Sequence, residues 1–313
     1  MGKIWSIDAI GKNGSTTIYG NIVALNESSI QKGLLYVGTD DGLIQISEND
    51  GKSWQKIEKF PFVPNKTYVN DIKSSLHQSD VVYVAFNNHK NGDFKPYILM
   101  SKNKGKTWSN ISGDLPERGS VYSIAEDHVN PLLLFAGTEF GIYYTINGGE
   151  KWEKFGSGLP TVAVRDIEIQ RRENDLVLAT FGRGFYVLDD YSPLRSINKE
   201  NSNEHLLFDV REALQYNPIR SGTSSQGSSY YSSENPPYGA VFTYNLPKSY
   251  KSLKSIRSEK EKELDKLNKD VPFSGWNELD KEVNESKPKL ILEVRDVNGE
   301  LVDRINGSTK KGI

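Results

Sequence analysis

Short apolar runs recur along the first 190 residues, and a polar turn separates each run from the next. Three segments show the pattern most clearly: LLYVGTDDGLIQISENDGKSW (34–54), VVYVAFNNHKNGDFKPYILMSKNKGKTW (81–108) and LLFAGTEFGIYYTINGGEKW (133–152). A fourth segment, LVLATFGRGFYVLDD (176–190), keeps two apolar runs but lacks the last turn and its Trp. The segments start at residues 34, 81, 133 and 176, which is a period of roughly 40–50 residues.

A further apolar run precedes each segment, at NIVALNES (21–28), NDIKSSLH (70–77), YSIAEDHV (122–129) and RDIEIQRR (165–172). Four short strands per repeat are typical of a β-propeller blade, so residues 1–192 are predicted to form a partial β-propeller of about four blades. Aligning the four runs puts Asn21, Asn70, Tyr122 and Arg165 in one register. The next register holds Ile22, Asp71, Ser123 and Asp166.

The turn that ends each of the first three segments has a common sequence, in SENDGKSW (47–54), SKNKGKTW (101–108) and TINGGEKW (145–152). A short polar side chain can bind the turn amides, a glycine can adopt positive φ, and a tryptophan can cover the hairpin. The residues expected in these structural roles are Asn49, Asn103 and Asn147, then Gly51, Gly105 and Gly149, then Trp54, Trp108 and Trp152. The turns resemble the Asp-box of bacterial neuraminidase repeats (BNR), with Asn at the Asp position, which suits turn capping and not a catalytic carboxylate.

Beyond these turns, the chain resembles the sortilin-like, neuraminidase-repeat proteins of bacteria that are often labelled "glycosyl hydrolase". The resemblance is carried by GTDDGL (38–43), NGDFKPYI (91–98), AGTEFGIYY (136–144), TFGRGFYVLDDYSPLR (180–195) and NPPYGAVFTYNLP (235–247), and it extends to the last residues (292–313). It implies large exported proteins with tandem propellers and a β-sandwich, of which this chain would match the last blades and the start of the sandwich.

The sequence changes character twice after the propeller. Residues 193–236 form a predicted linker, because SGTSSQGSSYYSSENPPYG (221–239) is rich in Ser and Gly. Residues 237–313 are predicted as an incomplete immunoglobulin-like β-sandwich, with a strand at 239–247 and a hairpin at 289–305 around a type I′ turn at Asn298-Gly299. Strong helix formers at 251–270 predict a solvated helical insertion. The predicted fold class is therefore all-β.

Composition and charge exclude several function classes. The 313 residues include 39 Lys+Arg and 41 Asp+Glu, so the chain has no basic excess for nucleic-acid binding. Without Cys, it has no disulfide, thiol nucleophile or thiolate zinc site. The four histidines show no metal-binding spacing, and neither a metal nor a cofactor is predicted. No apolar run approaches the ~20 residues of a membrane helix, and no signal peptide is visible, so export is implied by the resemblance alone.

Candidate binding residues lie in loops at one face of the predicted propeller. Turns between the second and third strands of a blade share this face with the loops between blades, opposite the Asp-box turns. Loops on a rigid scaffold commonly carry binding residues. The candidates are Asp40, Asp41, Asp93, Lys95, Arg118, Glu139, Arg165 and Arg183. Of these, Arg183 lies between two glycines and could hold an anion or pin a neighbouring Asp.

Two acids near the predicted channel, Asp71 and Asp166, are weak candidates for catalysis, because glycoside hydrolysis uses a pair of carboxylates. The alternative is that they cap strand starts or bind neighbouring backbone amides. Sialidase chemistry is disfavoured, since the sequence contains no Arg-Ile-Pro tripeptide.

Two functions follow as hypotheses. The first is a sortilin-like binding module whose blade-top loops grip a protein, peptide or glycan. The second is part of a carbohydrate-active glycoside hydrolase whose site further blades would complete. A role as an assembly factor rests on analogy of fold alone. Residues 1–192 are too few for seven blades, which need roughly 300 residues, so we also expect an open propeller edge and self-association through it.

Overall fold

The computed structural model describes residues 20–156, 158–213, 215, 217 and 238–313. The chain divides into two compact units, of which the first ends at Asn198 and the second begins at Lys199. Residues 1–19 of the predicted propeller lie outside the described residues, as does most of the Ser-rich stretch of the predicted linker. Residues 193–196, predicted as linker, fold with the first unit, because Leu194 is buried and Arg195 binds Asp127.

The described part of the first unit consists of four antiparallel sheets, called blades I to IV. Blade I contains β1 (Ile22–Glu27), β2 (Leu35–Thr39), β3 (Ile44–Ser47) and β4 (Gln55–Ile57). Blade II contains β5 (Tyr68–Ser74), β6 (Val82–Asn87), β7 (Tyr97–Ser101) and β8 (Ser109–Asn110). Blade III contains β9 (Val121–Glu126), β10 (Leu134–Thr138), β11 (Gly141–Thr145) and β12 (Glu153–Lys154). Blade IV contains β13 (Val164–Gln170), β14 (Asp175–Thr180) and β15 (Phe185–Leu188). Short 3-10 helices lie at His89–Asn91 and Ser192–Ser196.

Within each blade the strands pair in chain order, and the first strand of each blade contacts the first strand of the next, from β1 through β5 and β9 to β13. These inner strands therefore line a channel around which the blades are arranged. The all-β class and the partial propeller predicted from the repeat are confirmed. Turns after the first and third strands of a blade share one face, the lower face. Turns after the second strand and the loops between blades share the upper face.

Apolar side chains fill the junctions between blades. At the junction of blades I and II, Tyr36 and Ile44 pack in one cluster with Ile72 and Phe86. At the junction of blades II and III, Ile98 belongs to a second cluster with other buried residues, including Ile124, Leu134 and Trp152. Strand β6 is buried on both of its faces, and for this reason VYVAF shows an almost continuous apolar run instead of strict alternation.

Every inner strand contains a β-bulge near its start, which adds one residue that has no partner in the ladder. The extra residues are Val23, Asn70, Tyr122 and Arg165. The predicted register was therefore right for blades II to IV and wrong for blade I. There Val23 replaces Asn21, and Ala24 replaces Ile22 as the equivalent of Asp71 and Asp166. The reason is that the apolar residues Ile22 and Leu25 of blade I align with Val69 and Ile72 of blade II, whereas the Asn that the two runs share does not.

The second unit, in the part that the structure describes, contains two two-stranded sheets and two helices. The elements are β16 (Leu206–Leu207), β17 (Tyr244–Asn245), α1 (Leu253–Lys266), α2 (Trp276–Asn284), β18 (Leu290–Arg295) and β19 (Leu301–Gly307). Helix α1 matches the predicted insertion, whereas α2 was not predicted, because it is short and follows Gly275 without a side-chain cap. Arg257 on α1 donates hydrogen bonds of 2.6 and 3.0 Å to Glu282 on α2. The immunoglobulin-like sandwich stays a prediction.

The hairpin of β18 and β19 has a different turn from the one predicted. A type I′ turn needs positive φ at both central residues. Only Gly299 of the pair has positive φ, at 84°. The Asp296 carboxylate accepts the N–H groups of Asn298 and Glu300 at 2.9 and 2.8 Å. This local capping selects a longer loop with a single left-handed glycine.

Candidate functional site

Three turns on the lower face share one pattern of hydrogen bonds. A Ser or Thr hydroxyl accepts the N–H of the glycine four residues on, at 2.8 Å for Gly51, 2.8 Å for Gly105 and 3.1 Å for Gly149. The side-chain oxygens of Asn49, Asn103 and Asn147 each accept a hydrogen bond from the backbone N–H of the residue four positions later. The three glycines have φ of 80°, 79° and 97°. All of these groups are engaged within the turn, which leaves the turns a structural role.

The tryptophans of these turns differ in their surroundings. Trp152 is buried, and its indole N–H donates to the carbonyl of Ile111 in blade II at 2.9 Å. Trp108 packs edge-on to Phe60 with ring centroids 5.7 Å apart. Trp54, in blade I, is exposed. The turns of blades II and III therefore contribute to the junctions with the preceding blades.

On the upper face, most of the predicted acids already bind neighbouring groups. The carboxylate of Asp40 accepts the N–H groups of Gly20 and Asn21 at 2.8 and 2.9 Å, which fixes the approach to β1. The carboxylate of Asp41 accepts the hydroxyl of Thr39. Asp40 therefore ties its turn to the start of β1, and Asp41 stabilises the turn that contains it.

The long loop of blade II is arranged around Asp93. Its carboxylate accepts hydrogen bonds from Tyr97 at 2.6 Å and from Asn88 at 3.0 Å. Burial alone would raise the pKa of Asp93, but these hydrogen bonds hold it below its usual value. Lys95 is exposed, and the Arg118 guanidinium lies 5.4 Å from the Phe94 ring. The loop is thus held internally, with two cations near its surface.

The bulge residues of blades II to IV form a connected row at the upper mouth of the channel. Asn70 donates from its side chain to the carbonyl of Tyr122. The Arg165 guanidinium lies 3.9 Å from the ring centre of Tyr122 and 5.1 Å from that of Phe181. Arg183 is exposed on the turn between β14 and β15, and Glu139 follows β10. The predicted Arg165 is therefore held between two aromatic rings.

Asp71 and Asp166 occupy equivalent positions but have different surroundings. The Asp71 carboxylate accepts the N–H of Ile124 in blade III at 3.0 Å. Burial raises its pKa above the ordinary value. Asp166 is exposed and accepts the N–H of its neighbour Ile167 at 2.9 Å. Asp71 thus ties two blades together, and both carboxylates bind backbone amides.

A cleft of about 220 Å³ lies at the lower end of the channel. All four inner strands reach it, and its charged lining includes Glu27, Lys73, Glu126, Glu168 and Arg171. Of these, Glu126 is buried and accepts hydrogen bonds from the hydroxyls of Ser75 and Tyr83, both at 2.9 Å. Its carboxylate therefore joins blade III to blade II and is taken up by that contact.

Lys73 is the central cation of this cleft. Its ammonium lies 3.4 Å from the Glu168 carboxylate. This ion pair joins blade II to blade IV. Burial alone would lower the pKa of Lys73, but Asp71, Glu168 and Asp166 together raise it, so the side chain stays charged. Arg171 is exposed and lines the same space. The cleft thus offers two cations and an exposed carboxylate to one ligand.

The cleft was not predicted from the sequence, although one feature of the sequence indicated it. Lys73 lies two residues after Asp71 on the same side of β5, and side chains alternate along a strand. The position of Glu168, two residues after Asp166 in blade IV, follows the same pattern. No sequence signal places Arg171 beside them.

Within the described residues, no group of three or more His, Asp or Glu side chains is arranged to hold a metal ion. In the same part of the chain, no helix is both long and apolar enough to cross a membrane.

No protein-family model matches the chain, and no curated protein matches it in sequence. The fold of the chain is similar to that of a structure described as YCF48 bound to D1 peptide. The identity is 15%, the TM-score is 0.43, and the match covers 56% of this chain and 53% of that one. It is also similar to the GH74 xyloglucanase from Xanthomonas campestris, with 16% identity, a TM-score of 0.46, and coverage of 58% and 31%. A third match is the β-propeller domain of Cps50 (Swd1) from Myceliophteria thermophila, with 14% identity, a TM-score of 0.42, and coverage of 55% and 53%.

The matched region spans about half of the YCF48 and Cps50 chains and less than a third of the xyloglucanase. The propeller assignment of this chain rests on its own strand order and on the packing between its blades.

Proposed function

We propose that the four-bladed unit is a binding module that takes a protein or peptide ligand in the lower cleft. The observation that carries the proposal is the meeting of Lys73, Glu168 and Arg171, from blades II and IV, around one space of about 220 Å³. Two cations and a carboxylate around one cleft suit the carboxylate and amide groups of a peptide, because charge-assisted hydrogen bonds are stronger than those between neutral groups. The upper-face loops are the weaker choice, since Asp40 and Asp93 are engaged locally.

The resemblance to sortilin-like, neuraminidase-repeat proteins belongs to the same proposal. The shared hydrogen bonds of the turns at Asn49, Asn103 and Asn147 support it. An exported location and a glycan as the ligand are further parts of the proposal, and they rest on the resemblance.

Peptides selected from a display library on the full chain are the probes that test this function. Their affinities for the parent chain and for the Lys73→Ala and Arg171→Ala variants would be measured by calorimetry. Each substitution should weaken binding about tenfold or more, because a hydrogen bond to a charged group contributes roughly 1.5–3 kcal/mol.

Arg183→Ala is the matched control, since it removes an exposed cation from the upper face. We expect this variant to keep the affinity of the parent. If Arg183→Ala loses binding while the two cleft variants keep it, the ligand binds the upper loops and the cleft proposal fails.

Glycoside hydrolysis is a second candidate function. The observation in its favour is the contrast between Asp71, whose pKa is raised by burial, and the exposed Asp166. Hydrolases pair a protonated acid with an ionised carboxylate. Against it, the Asp71 carboxylate binds the backbone of blade III. Polysaccharide hydrolysis that is lost in Asp166→Asn would establish this function, and binding without turnover would favour the module.

A further inference from the structure

The blades repeat the same positions, so each blade has a rear face toward the preceding blade and a front face toward the following one. Two apolar positions of the inner strand face rearward. In blades II to IV the side chains at these positions are at most 1% exposed. They are Val69 and Ile72 in blade II, Val121 and Ile124 in blade III, and Val164 and Ile167 in blade IV. In blade I the same positions are Ile22 and Leu25, which are 52% and 68% exposed. The rear face of blade I thus presents side chains that the other blades bury.

The front face of blade IV shows the complementary feature. Ile44, Ile98 and Ile142 occupy the first front-facing position of the third strand in blades I to III and are at most 2% exposed. In blade IV this position is Phe185, which is 77% exposed. Val187 is 56% exposed, whereas its equivalent Ile46 is 3% exposed. Blade IV therefore presents an apolar surface of the kind that blades I and II use to receive the next blade.

One of these junctions, between blades II and III, also contains a polar contact. Between blades II and III, the Asp71 carboxylate on the front face accepts the N–H of Ile124 on the rear face. Asp166 is the equivalent of Asp71 in blade IV, and Leu25 is the equivalent of Ile124 in blade I. Since Asp166 is exposed, its carboxylate is available for the same contact with another chain.

We propose that two copies of this chain join head to tail, so that the rear face of blade I in one copy packs on the front face of blade IV in the other. In this junction Asp166 accepts the backbone N–H of Leu25 of the second copy. These two exposed faces correspond to the two halves of a junction that the described blades already form within the chain. This association is a second interaction surface, and it does not depend on the ligand proposed for the cleft.

A dimer is the expected assembly. A head-to-tail interface forms a closed ring when its rotation closes, and an open filament otherwise. Two copies bring eight blades, which is at the upper end of the roughly 4–8 blades of closed propellers, whereas three copies would exceed that range.

The oligomeric state of the full chain tests the proposal, measured by sedimentation velocity and light scattering over a concentration series. The parent should be dimeric at high concentration. Leu25→Lys and Phe185→Glu should each be monomeric, because each buries a charge in the junction. Both positions are exposed in the single chain, so circular dichroism and urea unfolding of the monomer should be unchanged.

Val129→Lys is the control variant. It replaces an exposed apolar residue in a lower turn of blade III and should leave the dimer intact.

Mixing the two monomeric variants distinguishes head-to-tail association from a contact between two identical faces. In the mixture, one junction pairs the unaltered face of each variant, and the other places the introduced lysine opposite the introduced glutamate. We therefore expect the equimolar mixture to regain the dimer. Asp166→Ala should weaken the parent dimer about a hundredfold or more, because each of the two junctions loses one charge-assisted hydrogen bond.

Three results would overturn the proposal. The first is a parent chain that stays monomeric at all concentrations. The second is a parent dimer that both charged variants retain. The third is a mixture of the two variants that stays monomeric although each is folded.

Discussion

The Arg195 guanidinium binds both carboxylate oxygens of Asp127, with Nε 2.9 Å from Oδ2 and Nη2 2.7 Å from Oδ1. Asp127 lies in the first turn of blade III, and its side chain is completely buried. Its Oδ2 also accepts the N–H groups of Val129 and Asn130 within that turn. Ser28 and Ser75 cap the equivalent turns of blades I and II through their hydroxyls. Blade III uses a carboxylate instead and thereby gains a tie to the segment after blade IV.

Removal of Arg195 should strongly destabilise the propeller unit. Arg195→Leu leaves the Asp127 carboxylate buried without its cation, which costs about 3–5 kcal/mol of unfolding free energy. Urea unfolding followed by circular dichroism measures the loss. In the double variant with Asp127→Asn, part of the stability should return, because no buried charge is left. A loss below about 1 kcal/mol in Arg195→Leu would show that water already screens this pair.

Asp71 should make the unfolding free energy depend on pH in an unusual direction. Its folded-state pKa is raised above 3.8, mainly by burial. The folded state therefore holds this proton more tightly than the unfolded state does, so Asp71 stabilises the fold most below pH 3.8 and loses this contribution as pH rises through the raised pKa. Asp71→Asn keeps an oxygen that can accept the N–H of Ile124. We expect this variant to be more stable than the parent at neutral pH, with the difference vanishing toward pH 3.8.

Asp127→Asn is the control for that pH series, since the expected sign is opposite. Burial alone would raise the pKa of Asp127, but hydrogen bonds from Arg195 and Tyr191 hold it below 3.8. Its contribution is full above pH 3.8 and is lost as pH falls through the lowered pKa. Asp127→Asn should therefore be less stable than the parent at neutral pH. The measured quantity is the difference in unfolding free energy between each variant and the parent as a function of pH. If this difference has the same sign and pH dependence for both variants, the pKa directions given for Asp71 and Asp127 are both wrong.

Three alanine substitutions in the lower turns should separate backbone strain from contact between blades. Gly51, Gly105 and Gly149 all have positive φ, so each alanine variant loses about 1–2 kcal/mol. A Cβ on Gly149 would also lie 2.7 Å from Cβ of Ile111 in blade II. A Cβ on Gly105 would overlap Ile46 in blade I, whereas one on Gly51 would meet only Trp54 and Leu35 at ordinary contact distance.

Gly105→Ala and Gly149→Ala should therefore lose roughly 1–3 kcal/mol more than Gly51→Ala, which is the usual cost of overpacking. Thermal and urea unfolding of the three variants provide the comparison. Equal losses at the three positions would mean that the blades move apart without cost at these turns.

The repeat of apolar runs predicted the blades, because the second strands β2, β6 and β10 are largely buried and their apolar side chains are contiguous in the sequence. The positive φ of Gly51, Gly105 and Gly149 was also accessible from the turn sequences. The lower cleft was not, since Lys73 and Glu168 are 95 residues apart and meet only because the inner strands converge. Arg195 was placed in a predicted linker for the same reason, as its partner Asp127 lies in a different blade.

The stepwise contact of the inner strands has a consequence for how the unit opens. In a stack where each element is held by its neighbours, opening begins at the ends and moves inward, as in solenoid proteins. Amide hydrogens of β1 and β15 should then exchange with solvent first. Those of β6, which is buried throughout, should exchange last. Slow exchange at the two ends would be the sign that another chain covers them.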